Sequence, residues 1–308
     1  MLKIGRRVGV LIAAIAAIVP ATSVFAAPTA TSSILYNSLA PALQGNIPSE
    51  GPEAYSFNEL GNQVTLTHSG QIGSVVVTMS SWGCGQSGGW STANCVTVPG
   101  TKFTEPITLN IYQAPAADPA AQPDTPGHGL PGARILTVTK TFSIPYRPSA
   151  NHAKCVGTSP YSGSGAWFDS KLGECFAGMM TNITFSLSSM HKTLPQNIVF
   201  GISYNTSHYG YAPYGTGTTC YTASNGCPYD SLNIGLSNDP TNLNQGSDPY
   251  PGGMYQNAVY GSDYCDGGNA GTGTFRFDSP STPSCWVEQN DGTTGYYIPA
   301  VEFIKATI

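Results

Sequence analysis

Ser74-Val-Val-Val-Thr-Met-Ser-Ser-Trp82 is the stretch whose reading decides the fold. Val75, Val77 and Met79 fall on one side of it and Val76, Thr78 and Ser80 on the other, the two-residue period of a strand with one apolar face. Such a face leaves water only against a second layer, so the stretch predicts a partner sheet. About eight further segments repeat the pattern. Upstream, Ile34 to Tyr36 reads as a first edge strand, and Gly61-Asn62 carries turn chemistry, which starts the next strand at Gln63. Downstream come Ile107/Leu109/Ile111, then Leu136/Val138/Phe142/Ile144 with Lys140 as the exception on that face. Ile183/Phe185/Leu187, Ile198/Phe200/Ile202/Tyr204 and Leu232/Ile234/Leu236 follow, then Phe275/Phe277 and Val301/Phe303. No window shows an apolar stripe at helical spacing. The expected class is all-β, a jelly-roll-like β-sandwich with its first and last strands adjacent and long disulfide-tethered loops.

The chain begins with Lys3, Arg6 and Arg7 ahead of an apolar run from Val8 to Val19, too short to span a bilayer, followed by Val24-Phe25-Ala26. This reads as a signal peptide over residues 1–26, leaving 27–308 as a single secreted sandwich domain. Gln113 to Gly132, with five prolines, reads as a long hairpin tip rather than a linker between domains. No terminal apolar span follows, so no transmembrane segment is expected once the signal is removed. All 17 acidic residues and nine of the 12 Lys and Arg lie beyond Ala26, giving that part roughly eight net negative charges. Its cations are scattered, which disfavours nucleic acid and anionic membranes as partners.

Eight cysteines in an exported chain suit an oxidising compartment. The count alone allows 105 pairings. Proximity favours Cys84 with Cys95, Cys155 with Cys175, Cys220 with Cys227 and Cys265 with Cys285, each closing a loop between predicted strands. There is no C-x-x-C, so a zinc site is not expected. The acidic strings Asp263 to Asn269 and Asn238 to Asp248 offer oxygens of the kind a structural calcium uses, but neither fits a known calcium loop, and Asx turns explain them equally; no cofactor is assigned.

Ten of the 17 tyrosines fall between Tyr204 and Tyr264. Tyr209, Tyr211 and Tyr214, spaced by Gly210, Ala212 and Pro213, offer rings that stack on sugar faces; with Trp90 and Asp230 they make the candidate ligand-binding set. The competing reading packs these tyrosines against the sandwich. Gly85-Gln-Ser-Gly-Gly89 matches G-x-S-x-G, yet no strand–turn–helix surrounds Ser87, so it is not read as a nucleophile. For His68 and His208 the expectation is ordinary loop histidines. Asp230, Asp266 and Glu302 are the acids to inspect for a carboxylate pair.

At Thr78-Met-Ser-Ser-Trp-Gly-Cys84, Ile144-Pro-Tyr-Arg-Pro-Ser-Ala150, Tyr204-Asn-Thr-Ser-His-Tyr-Gly210, Cys227-Pro-Tyr-Asp-Ser-Leu-Asn233 and Tyr264-Cys-Asp-Gly-Gly268 the chain resembles a group of exported bacterial β-sandwich proteins of unknown function. Phe57-Asn-Glu-Leu-Gly-Asn-Gln-Val64 is similar to the start of the sandwich domains of variably anchored surface proteins. The resemblance implies export and a sandwich fold and assigns no functional residue. The reading that follows is a secreted, non-catalytic extracellular module with glycan or cell-wall polysaccharide as partner. The alternatives are a glycan hydrolase using two carboxylates and a structural cell-surface protein without a small ligand.

Overall fold

The strand holding Ser74 to Ser81 is the one on which the others assemble. The computed structural model describes residues 33–40, 43, 45–121, 125–157, 162–204, 206, 232–237, 243, 245–278, 287–288 and 295–307. Strands appear in the order β1 Ile34–Asn37, β2 Ser49–Glu50, β3 Glu59–Thr65, β4 Gly70–Ser81, β5 Lys102–Gln113 and β6 Arg134–Pro145. After them come β7 Trp167–Asp169, β8 Glu174–Phe176, β9 Met179–Ser186, β10 Thr193–Leu194, β11 Asn197–Ser203 and β12 Leu232–Ser237. The last are β13 Met254–Gln256, β14 Arg276–Asp278, β15 Val287–Glu288, β16 Gly295–Tyr296, β17 Ile298–Pro299 and β18 Val301–Lys305. Two short helices, α1 Pro52–Tyr55 and α2 His152–Cys155, sit in the connections.

One edge of β4 pairs with β18 (Val77 opposite Val301) and then with β12 (Ser81 opposite Leu232); its other edge pairs with β9 and β10. β1 closes on β18, so the first and last strands are neighbours. The second sheet runs β14-β13-β3-β11-β5-β6. Its β5 and β6 form a hairpin, and the proline-rich connection is the tip. Ile72, Val75, Val77 and Met79 of β4 are fully buried in one cluster with Leu109 and Ile111 of β5 and Ile198 and Phe200 of β11. Rings cross between the layers, Phe200 to Phe303 at 5.5 Å and Phe142 to Phe185 at 4.9 Å. The fold is therefore an all-β, sandwich-like arrangement of antiparallel sheets. Lys140, the polar exception on its face, lies at the rim, where its Nζ donates to the Thr184 carbonyl of the opposite sheet at 3.1 Å.

Two details depart from expectation. Gly61-Asn62 is not a turn but the middle of β3, where Gly61 faces Gly201 across β11. A Cβ on Gly61 would stand 1.8 Å from the Phe200 carbonyl oxygen, so glycine serves close strand approach here, and Asn62 spends its amide on Asp248 at 2.8 Å. The outer side of β4 is also not solvated. Thr78 and Ser80 are buried, with Thr78 donating to Asn182 and Ser80 to Asn46, because residues 45–50 cross that face.

The outer face of the second sheet carries a polar ladder. Glu59 of β3 reaches over β11 to β5, where its Oε1 accepts from Asn110 Nδ2 and the Tyr112 hydroxyl, both at 3.0 Å. Burial pushes this carboxyl up; the two donors and Arg134 pull it back down. Gly201 leaves room for the crossing, since a Cβ there would lie 2.1 Å from Glu59 Oε1. Gly201→Ala is expected to displace the carboxylate and cost about 2 kcal/mol in urea unfolding. Adding Glu59→Ala to it should recover much of that loss, and simple additivity of the two would overturn the contact.

Candidate ligand-binding groove

The end of the sandwich at which β4 stops and β5 begins is built around two disulfides. Cys84–Cys95 and Cys155–Cys175 both form, with Cα atoms 5.5 and 5.6 Å apart. Each cross-link removes freedom from a loop that buries little of its own surface. Cys265 is disulfide-bonded as well; Cys220, Cys227 and Cys285 lie outside the described residues.

Between the two loops lies a guanidinium. Arg147 is fully buried and donates Nε to Pro148 O at 3.1 Å, Nη1 to Trp90 O at 3.0 Å and Nη2 to Gly165 O. Trp90 belongs to the first disulfide loop and Gly165 to the second, so one side chain fastens both. Backbone bonds extend the seam, Ala150 N to Cys95 O and Asn151 N to Ala166 O. The sequence makes this site locally: Pro145 and Pro148 bracket Arg147 and end β6, freeing the chain to turn inward.

The seam fixes a groove of about 300 Å³ lined by Leu43, Gly45, Pro148, Trp167, Phe168, Asp169, Ser170, Lys171, Met179 and Met180. Its lining mixes polar and apolar surface about equally. Trp167 is held by its indole N–H, which donates to Gly178 O at 2.7 Å, and its ring lies 5.6 Å from Phe176. Phe168 is half-buried, and the Lys154 ammonium sits 4.2 Å from its ring centre. Asp169 and Lys171 bring opposite charges to the rim, and Asp169 Oδ1 accepts from the Lys171 amide at 2.8 Å, setting the turn between β7 and β8. A concave site with a few polar groups fixed by their own hydrogen bonds can hold a small ligand, and this volume is at the small end of that class.

Of the residues proposed from sequence, Trp90 is at this end but outside the groove lining. It is half-buried, edge-on to Trp82 with centroids 4.9 Å apart. Tyr209, Tyr211, Tyr214, Asp230 and His208 lie outside the described residues. The described tyrosines of the same segment divide. Tyr204, Tyr255 and Tyr264 are buried, and the Arg276 guanidinium caps the Tyr264 ring at 4.2 Å, whereas Tyr260 is 55 % exposed. The acids marked for inspection are already engaged: Asp266 is ion-paired with Arg276 at 2.8 Å, and Glu302 accepts from Asn37 at 3.0 Å. Ser87 donates to the Asn94 carbonyl on an exposed turn, and His68 lies half-buried beside Thr67. Among the described residues no three His, Cys, Asp or Glu side chains gather around a metal-sized space. No described helix is long and apolar enough to cross a membrane.

Phe168 and Asp169 were not singled out as ligand residues from sequence. The available signal was the Cys155/Cys175 pair bracketing Trp167-Phe-Asp169, aromatic and acidic residues in a loop that a disulfide holds still. No protein-family model, curated protein or solved structure matches the chain.

Proposed function

We propose that the protein is an exported, non-catalytic binding module that recognises carbohydrate at its loop-bearing end. The observation that carries this reading is the groove lined by Trp167, Phe168, Asp169 and Lys171. Sugars offer an apolar ring face to aromatic groups and hydroxyls to charged ones, and a disulfide-held loop presents both at a reduced ordering cost. Secretion is supported by the signal-like residues 1–26 and by the oxidised cysteines. A glycosidase needs two carboxyls facing each other. The described groove lining supplies one, Asp169, with an oxygen already committed to its own turn.

The test is retention of the mature chain on a panel of immobilised glycans and cell-wall polysaccharides. Binding is expected to at least one, and Phe168→Ala with Asp169→Ala should weaken it tenfold or more while the melting temperature holds. Failure to bind anything on the panel would sink the reading, as would a double variant that binds like wild type.

A further inference from the structure

The strained residue Ser56 points to a second contact surface at the same end. Ser56 ends α1 in the left-handed region, φ 50° and ψ 17°, and is 3 % exposed. Glycine adopts that conformation without cost, so a serine there calls for a reason. Its polar atoms supply one. The Ser56 hydroxyl donates to the Asp263 carboxylate and accepts from the Tyr260 amide at 3.4 Å, while its carbonyl accepts from the Val259 amide at 3.1 Å. Residues 52–56 are thereby fastened to residues 259–263, two segments distant in sequence.

What the fastening displays is apolar and ringed. Tyr55 is 39 % exposed, Val259 40 % and Tyr260 55 %, immediately beside a serine that is buried. The surroundings are acidic. Asp263 is tied to Ser56, and the charge of Glu50, then burial, then the charge of Asp263 push the Tyr55 phenol up. Arg276, a cation of this region, is spent on Asp266. The joined segments lead into β3, whose Glu59 pairs with Ser203 of β11; Tyr204, next along, takes its amide to Asn58 O and its hydroxyl to Leu232 O, opposite the end of β4. The platform thus belongs to the loop-bearing end that also carries the groove.

We propose that Tyr55 and Tyr260 form an aromatic platform for a glycan chain bearing amino groups, with Asp263 selecting against carboxylated or sulfated sugars. This rests on the carbohydrate reading above and adds the ligand's charge class. Two separate exposed rings suit successive sugars of a chain, and the Asp263 carboxylate beside them favours cationic amino sugars while repelling uronates.

The experiment is calorimetry or affinity electrophoresis of the mature chain at pH 6 and low salt with three soluble oligomers: glucosamine hexamer, N-acetylglucosamine hexamer and galacturonate hexamer. Glucosamine hexamer is expected to bind at least tenfold tighter than its acetylated form, with no measurable galacturonate binding and a steep loss of affinity on adding salt. Tyr55→Ala and Tyr260→Ala should each weaken it about tenfold, and the corresponding Phe variants should bind like wild type, which separates stacking from folding. Galacturonate binding as tight as glucosamine overturns the charge selection. If the Tyr variants bind normally while Phe168→Ala does not, the platform is wrong and the groove reading stands. If none of the three oligomers binds while the wider panel yields a neutral glycan, this inference falls alone; if that panel also yields nothing, the carbohydrate reading falls with it.

Discussion

Arg147→Met is expected to lower the melting temperature by about 10 °C and to open both disulfide loops to protease. Methionine keeps much of the volume and loses every donor. Three backbone carbonyls, of Trp90, Pro148 and Gly165, lose their guanidinium partner together. Breaking a buried hydrogen-bonded charge costs roughly 3 to 5 kcal/mol, and a domain of this size loses about 2 to 4 °C for each of those. Arg147→Lys should rescue only part, because an ammonium on a flexible stem does not reproduce a planar fork aimed at three acceptors. The damage should be local first: cleavage within residues 82–101 and 156–175, and a red shift of tryptophan emission as Trp82 and Trp90 part, before the sheets unfold. Ligand affinity of the groove should fall with it, since Pro148 lines the groove and Gly165 leads into Trp167. A variant melting within about 2 °C of wild type, with an unchanged cleavage pattern, would remove the clamp from this account.

Stability that falls as pH rises from 4 to 8 is the second large expectation, and it runs opposite to the usual carboxylate behaviour. Glu105 is the main cause. It lies on the inward side of β5 between Phe103 and Ile107, fully buried, and neither carboxyl oxygen meets a hydrogen-bond partner among the described residues. Desolvation pushes it up to about 8. Burial likewise raises Asp248 and Asp278 to about 6, each partly offset by hydrogen bonds, and raises Glu50, Glu59 and Glu302. The sign follows from linkage. A carboxyl whose folded pKa exceeds its unfolded value near 4 binds its proton more tightly in the folded state, so its contribution is complete below pH 4 and lost as pH climbs through 6 for the two aspartates and 8 for Glu105. At about 1.4 kcal/mol per unit, Glu105 alone accounts for on the order of 4 to 5 kcal/mol across that window. Glu105→Gln should therefore leave the melting temperature at pH 4 nearly unchanged and raise it at pH 8 by roughly 10 °C. Tyr204 shares this pocket, its hydroxyl pushed up by burial and then by Glu105 and Glu53, so Tyr204→Phe is the control for a general loosening of the site. Stability that instead climbs steadily from pH 4 to 7, or a Glu105→Gln protein no steadier than wild type at pH 8, would show the carboxyl to be solvated.

Period-two apolar patterning was readable because it is a local property. Val75, Val77 and Met79, or Ile198, Phe200 and Ile202, face one way whatever sheet they join, and burial of one face requires a partner layer. The short-range cysteine pairs Cys84–Cys95 and Cys155–Cys175 were readable for the same reason, each closing one connection between strands. Where the sequence reading failed, a neighbour distant along the chain had intervened. Gly61 looked like a turn because glycine's tolerance of tight backbone and its lack of a side chain leave the same letter; only β11 alongside shows that the second property is in use. Thr78 and Ser80 read only as the polar side of a half-buried strand, and nothing local announces that residues 45–50 lie over them.

The site divides along the same line. Composition and pattern alone set the two-layer all-β build, the Lys140 exception and the disulfide closure of two loops. The groove walls, the carbonyls that converge on Arg147, the platform joining Tyr55 to Tyr260 through Ser56 and the isolation of Glu105 are long-range juxtapositions. Their energies depend on separations across space rather than along the chain, so tertiary structure alone decided them.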